Sequence, residues 1–293
     1  MKITKRSGKR NNLLPGLGAV LIITSSAVAT YFTLRHLNPP HTTQQPISKE
    51  QPAPTPKTKT PDSQKPPAPA VPTIALPNAT PIPARIVNSA DDADLWRIVN
   101  KSQSFANPRY QPSDLRLVSA PTLPGRGQDE RSLRAVLMPD LEKLIAAARN
   151  AGVTIYVGSG YRSYATQASL FASNVRQHGE AKANRFSSRP GHSEHQSGLA
   201  VDFGGIDRAC WVEDCFEQTT ASKWLAAHAH EYGFILRYPK GKEKITGYQY
   251  EPWHFRYVGR ELAGALHQSG LTMEEAWSYI EEAMTKLKQR GTQ

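Results

Sequence analysis

Apolar and polar positions divide the chain into stretches of very different character. Residues 13–34 form an uncharged run of 22 residues, which is long enough to cross a bilayer as a single helix. Residues 35–86 are rich in proline and polar side chains and hold too little apolar surface to build a core. We therefore predict a basic tail (1–12), a membrane-spanning segment (13–34), a disordered Pro-rich linker (35–86) and one folded domain (87–293).

Within the domain, the spacing of apolar positions predicts helices mixed with short strands. A helix is expected through residues 137–148, with Pro139 in its first turn and Gly152 as its stop. The other predicted elements are strands at 154–157, 199–203, 234–237 and 253–258, helices at 164–177 and 221–231, and two closing helices from residue 260. Because helices and strands do not alternate regularly, we predict an α+β fold, with a small antiparallel sheet flanked by helices.

The flanks of the apolar run at 13–34 indicate its orientation. Five basic side chains precede it and only Arg35 follows closely, so the N-terminus is expected in the cytoplasm and the domain outside. The alternative is a cleaved signal peptide, with Ala27-Val28-Ala29 as a small-residue cleavage site. The first alternative gives a single-pass protein of a bacterial cell membrane, and the second gives a secreted protein. In both cases the domain lies outside the cytoplasm.

The formal net charge of +11 at first suggests a nucleic-acid partner. The tail and linker, however, account for nine of these eleven net positive charges. The domain is nearly neutral, so we expect no nucleic-acid binding.

The two cysteines, Cys210 and Cys215, are separated by four intervening residues. Such a pair could bind metal, but no second pair exists to complete a four-cysteine site. Outside the cytoplasm, a small loop disulfide is favoured over free thiols.

Two histidines and an aspartate form a candidate metal set. His195, Asp202 and His254 offer two imidazoles and a carboxylate, a combination typical of catalytic zinc sites that keep a fourth position open. Asp202 follows His195 by seven positions, so an unbroken strand would point the two side chains to opposite faces. Gly198 offers a bend that could bring them together.

A carboxylate lies close to the third residue of this set. Pro252 disfavours a helix at Glu251, which places Glu251 and His254 on an extended or turned segment. Glu251 could then lie beside the metal without binding it, which is where a general base for the attacking water belongs.

Four ordered blocks of sequence resemble the VanY-type D-alanyl-D-alanine carboxypeptidases, over a match from about Asn100 to Gly259. The blocks are Ser159-Gly-Tyr-Arg162-Ser, Pro190-Gly-His-Ser-Glu-His195, Gly198-Leu-Ala-Val-Asp202-Phe and Tyr250-Glu-Pro-Trp-His254-Phe-Arg-Tyr-Val-Gly. The resemblance implies one zinc ion per chain, bound by His195, Asp202 and His254 in a cleft on the sheet, with Glu251 as the catalytic base.

The same resemblance assigns residues to the substrate. It implies that Arg162 receives the terminal carboxylate or the developing oxyanion, a task that suits its planar fork of donors. It further places Ser193 and Gln167 against the substrate. Tyr248 is expected in the pocket wall, and we include it among the substrate-binding candidates.

The implied reaction is hydrolysis of the last peptide bond of a peptidoglycan stem peptide, with release of D-alanine. Related activities stay open, namely an L,D-carboxypeptidase or a D,D-dipeptidase. A third possibility is a cell-wall binding module that has kept a metal but not catalysis. The expected partners are stem peptides and, through the N-terminal helix, the membrane.

Overall fold

The computed structural model describes residues 71–205 and 210–291, and within these ranges the chain forms eight short strands and seven α-helices. The strands are β1 (Thr73–Ile74), β2 (Ile82–Pro83), β3 (Leu115–Leu117), β4 (Ser132–Arg134), β5 (Tyr156–Ser159), β6 (Ala200–Gly204), β7 (Phe234–Leu236) and β8 (His254–Tyr257). The helices are α1 (Met138–Asn150), α2 (Tyr164–His178), α3 (Glu180–Phe186), α4 (Thr220–His228), α5 (Glu243–Thr246), α6 (Arg260–Ser269) and α7 (Met273–Gly291). This mixture of helices and antiparallel strands confirms the predicted α+β class.

Four strands form the sheet that carries the candidate site. Their order is β5-β6-β8-β7, and every neighbouring pair is antiparallel. Asp202 on β6 lies opposite Ser159 on β5 and opposite His254 on β8. Three polar positions therefore lie side by side across the sheet. Strands β1–β2 and β3–β4 form two separate antiparallel pairs.

Local sequence signals explain where the first two long helices form. Helix α1 carries proline near its start and buries Leu141, Leu144 and Ala148 on one face. Helix α2 begins after Ser163, whose hydroxyl accepts a hydrogen bond from the backbone N–H of Thr166, as an N-cap residue does. The short helices α3 and α5 were not predicted.

Two groups of buried side chains form the core. One lies around the four-stranded sheet and includes residues of α1 and α4. The other joins the β1–β2 pair to α6 and α7. The sheet that holds the candidate site thus rests on a packed apolar layer, which limits the movement of side chains on it.

The folded domain begins earlier than predicted. We placed the end of the disordered linker at residue 86, but Ile74 of β1 is fully buried and Ile82 of β2 is also buried, both in the group that includes α6 and α7. The composition is misleading here because prolines are compatible with edge strands and turns, and a few well-placed apolar residues suffice to anchor such a segment.

The basic tail, the apolar run at 13–34 and most of the predicted linker lie outside the described residues. Among residues 71–205 and 210–291, no helix has both the length and the apolar character needed to cross a membrane.

Candidate active site

The structure brings His195, Asp202 and His254 together at the sheet. All three are buried, and each offers one ligand atom within 4.8 Å of the others. Nε2 of His195 lies 3.3 Å from Oδ2 of Asp202, and Nδ1 of His254 lies 3.1 Å from Oδ1 of the same carboxylate. Asp202 and His254 meet because they are register partners on β6 and β8.

His195 reaches the same point through a turn. It lies in a 3₁₀ helix, Glu194–Ser197, that ends at Gly198 with φ 67°. This left-handed conformation favours glycine, and a Cβ added at Gly198 would lie 2.9 Å from Cγ of Arg134. Gly198 therefore makes the bend that the sequence predicted. The Nδ1–H of His195 donates to the carbonyl of Gly160 at 2.7 Å, which leaves Nε2 facing Asp202.

The donor set fits a zinc ion. Two imidazoles and one carboxylate are typical zinc ligands, and a hydrogen bond at the far nitrogen of His195 is the usual way to orient such a ligand. Oδ1 of Asp202 is buried and makes no well-aligned hydrogen bond, although Nδ1 of His254 is only 3.1 Å away. A buried oxygen and a ring nitrogen that approach so closely without a hydrogen bond suit two ligands of one metal ion.

Burial and charge shift the pKa values in this group. Burial lowers the pKa of His195, which favours the neutral ring that binds metal. Although burial disfavours its charged form, the pKa of Asp202 lies well below its ordinary value because both histidines contact it. Burial also opposes protonation of His254, but the neighbouring carboxylates of Asp202 and Glu194 raise the pKa of this ring to about 9.

Glu251 lies beside this group. Its Oε2 is 3.7 Å from Nδ1 of His254, and a turn through Pro252 connects the two residues, with the N–H of His254 donating to the carbonyl of Glu251. Burial raises the pKa of Glu251 to about 8. A carboxylate with a raised pKa can both accept and return a proton near neutral pH, as a general base and acid must.

Arg162 also lies close to this group. It follows β5, and its Nη2 lies 4.0 Å from Oδ2 of Asp202. The guanidinium donates to Oε1 of Gln167 at 3.1 Å and to Oγ of Ser159 at 3.2 Å. Gln167 is itself buried and donates to the carbonyl of Ser188. These bonds hold Arg162 in one orientation at the edge of the cleft.

A cleft of about 450 Å³ opens in front of these groups. The other two predicted substrate contacts, Ser193 and Tyr248, are mostly buried in its lining. The Tyr248 hydroxyl hydrogen-bonds to Oγ of Ser188 at 2.7 Å, and its ring stacks on Tyr238 at 4.4 Å. All the predicted site residues thus line one cleft, and their contact with substrate stays a prediction.

One wall of the cleft was not foreseen. Cys210 and Cys215 form a disulfide, and the loop between them places Val212 and Glu213 in the cleft lining. The loop is fixed by Trp211, whose ring lies so close to Gly158 on β5 that a Cβ there would clash with it. The Gly-Ser-Gly sequence after the predicted strand hinted at such a close approach.

A buried charge network behind His254 was also missed. The fully buried carboxylate of Glu194 accepts hydrogen bonds at Oε1 from Nε of Arg237 and Nη1 of Arg256, at 2.9 and 2.8 Å. Arg237 also pairs with Glu274 of α7. Burial opposes ionisation of Glu194, yet Arg237 and Arg256 hold the pKa of this carboxyl well below its ordinary value. The sequence signal was Arg256, a charged residue between the aromatic residues Phe255 and Tyr257 of β8.

Comparisons with known proteins point to one family. The family model described as VanY, D-alanyl-D-alanine carboxypeptidase, matches residues 130–260. YodJ of Bacillus subtilis strain 168, a protein named as a carboxypeptidase, is 37% identical over 189 residues, which cover 64% of this chain and 69% of YodJ.

Two solved structures share the architecture. The LdcB LD-carboxypeptidase is 35% identical with a TM-score of 0.61, and the match covers 67% of this chain and 93% of that chain. A mutant of the vancomycin-resistance D,D-pentapeptidase VanY in complex with Zn(II) is 30% identical with a TM-score of 0.50, covering 64% of this chain and 99% of the other.

Proposed function

Because the chain belongs to the VanY D-alanyl-D-alanine carboxypeptidase family, whose members are metallo-type peptidoglycan hydrolases, we propose that it removes the terminal D-alanine from stem peptides. The supporting observation is the position of Arg162, fixed by Gln167 and Ser159 within 4.0 Å of Asp202. A guanidinium held beside a metal-ligand set is suited to a substrate that ends in a free carboxylate.

His195, Asp202 and His254 would hold one zinc ion in this proposal. When bound, zinc supplies a Lewis acid that polarises the scissile carbonyl. The three side chains fit this role because they are buried and close together. Strands β6 and β8 orient Asp202 and His254, and the hydrogen bond to the carbonyl of Gly160 orients His195.

Glu251 moves the proton. Its carboxylate takes a proton from the water as the C–O bond forms, and it returns that proton to the nitrogen of the leaving D-alanine as the C–N bond then breaks. Its burial next to His254 limits the exchange of that proton with bulk water.

Arg162 binds charge on the substrate. Its guanidinium can pair with the terminal carboxylate or with the oxyanion that develops at the scissile carbonyl. Ser193, Gln167 and Tyr248 line the same cleft and would bind the backbone and side chains of the last residues. Pairing with a terminal carboxylate accounts for removal of a single residue rather than cleavage within a chain.

An L,D-carboxypeptidase is the second candidate. The likeness to the LdcB LD-carboxypeptidase favours it, since that structure aligns with a higher TM-score than the D,D-pentapeptidase does. The chemistry at the centre is the same for both activities. The choice depends on which stereochemistry the cleft accepts before the scissile bond.

Mass spectrometry of stem peptides separates these activities. The full-length chain is incubated with pentapeptide and tetrapeptide stems, with and without a chelator. Loss of one alanine from the pentapeptide alone supports the D,D assignment, whereas loss of one from the tetrapeptide alone supports the L,D assignment. A D,D-dipeptidase would instead hydrolyse added free D-Ala-D-Ala and leave both stem peptides intact. No chelator-sensitive cleavage of any stem would overturn the proposed function.

We also propose that the domain acts outside the cytoplasm, tethered by the apolar run at 13–34. The disulfide between Cys210 and Cys215 supports an oxidising compartment, and an insoluble wall substrate suits a tether with a long Pro-rich linker. Membrane fractionation followed by N-terminal sequencing tests this. A soluble form that begins after Ala29 would instead show a cleaved signal peptide.

A further inference from the structure

The imidazole of His254 is held between two carboxylates. Its Nδ1 lies 3.1 Å from Oδ1 of Asp202, on the side of the proposed metal site. On the opposite side, its Nε2 lies 3.8 Å from Oε2 of Glu194. Neither Nε2 of His254 nor Oε2 of Glu194 has a hydrogen-bond partner, although both atoms are buried.

Packing fixes the ring plane of His254. Tyr238 lies against its face at 4.8 Å between centroids, and the ring of His195 meets it edge-on at 5.0 Å. The two nitrogens therefore face different groups, and the tautomer decides which nitrogen is available to a metal.

Glu194 is built to keep its charge at this buried position. Its side chain is fully buried, and its Oε1 is engaged by Arg237 and Arg256, both of which are also buried. Oε2 is left pointing at His254. At 3.8 Å the contact is longer than a hydrogen bond, but a carboxylate so close in a dry site favours the tautomer that turns its N–H toward it.

We propose that Glu194 is a positioning residue for His254, holding the ring proton on Nε2 and so leaving Nδ1 free for the metal. This inference rests on the metal site of the proposed function. It adds a residue that touches neither substrate nor metal but sets the affinity for zinc through a ligand.

The test compares two variants of the full-length chain that remove the same charge from the same network. In Glu194→Gln the amide oxygen can still accept from the arginines, which turns the NH₂ group toward Nε2 of His254. Two donors would then face each other, which favours the tautomer with the proton on Nδ1. Glu274→Gln is the matched control, because Glu274 pairs with Arg237 but does not face His254.

The readout is the zinc dissociation constant, measured by competition with a chelating dye. We expect Glu194→Gln to weaken zinc binding about 10–100-fold, as loss of a residue that orients a ligand does, and Glu274→Gln to bind like the wild type. Equal affinity of Glu194→Gln and wild type would overturn the inference. Equal loss in both variants would also overturn it, because it would reflect the charge of the network alone.

A second measurement does not depend on the variant folding. Nitrogen-15 NMR of the zinc-free wild type reports which nitrogen of His254 carries the proton. The spectrum is recorded above the raised pKa of His254, where the ring is neutral. A proton on Nε2 supports the inference, and a proton on Nδ1 overturns it. If the wild type binds no zinc at all, the proposed function is wrong. The NMR measurement would still show whether Glu194 holds the proton of His254 on Nε2.

Discussion

Glu251 and Arg162 divide the proposed chemistry between proton transfer and recognition of charge. Glu251 is buried next to His254 and has a raised pKa, whereas Arg162 is held at the cleft by Gln167 and Ser159. Neither residue belongs to the candidate metal ligands. Variants of these two residues can therefore separate catalysis and recognition from metal binding.

Glu251→Gln should sharply lower turnover while zinc stays bound. An amide cannot accept the proton from water, so we expect kcat to fall by about 10²–10⁴-fold, the usual contribution of a general base. A neutral side chain is tolerated here because burial already favours the uncharged form of Glu251. Steady-state kinetics and metal content together check this, and a kcat within tenfold of wild type would rule Glu251 out as the base.

Arg162→Met should remove the preference for a free carboxylate. We expect wild type to cleave a stem peptide with a free C-terminus far better than the same peptide amidated, and the variant to lose about 10²-fold on the free acid. Arg162→Lys should recover only part of this activity, because an ammonium lacks the planar fork. If the ratio of kcat/KM for acid over amide were unchanged in Arg162→Met, carboxylate recognition would lie elsewhere.

The β1–β2 pair shows how a short element can extend a domain. Ile74 and Ile82 reach into the apolar group formed with α6 and α7, about two hundred residues further along the chain. The disulfide-closed loop acts similarly at the cleft, where Trp211 packs against Gly158 and brings Glu213 to the wall. Both elements depend on one or two anchoring side chains rather than on a long regular pattern.

Ile74→Ala should destabilise the whole domain. Ile74 is fully buried, and removing such a side chain costs about 2–5 kcal/mol of unfolding free energy. Val71→Ala is the control, since Val71 is 64% exposed and should change stability little. Urea unfolding followed by fluorescence measures both. Equal midpoints for the two variants would mean that β1–β2 does not contribute to the fold.

The candidate site is assembled from segments spread over almost a hundred residues of chain. Arg162 follows β5, His195 precedes β6, and His254 lies on β8. The buried pairs Glu194–Arg237 and Arg237–Glu274 connect this centre to α7. A ligand bound at the centre should therefore stabilise the domain rather than one loop.

Zinc should raise the unfolding free energy of the domain. At a free zinc concentration one hundred times the dissociation constant, binding to the folded state alone adds about 2.7 kcal/mol. Urea unfolding with added zinc and with chelator measures this difference. Asp202→Ala is the control and should show no zinc-dependent shift. Equal midpoints for the wild type under both conditions would argue against a site in the folded state.

Much of this protein is readable in local sequence. The period of apolar positions placed most long elements, because helices and strands repeat their buried faces at different intervals. The candidate ligands could be named because His195, Asp202 and His254 lie in short ordered blocks, and Gly198 marked the bend that lets two of them meet.

What folding added are contacts between segments far apart in the sequence. Glu194 meets Arg237 and Arg256 only because β7 and β8 pair beside the turn that holds it, so the neighbour of His254 could not be read from any one block. The early start of the domain at β1 has the same origin. Local patterns record backbone preference and period, whereas the partner of a buried charge or of an isolated apolar side chain is determined by packing.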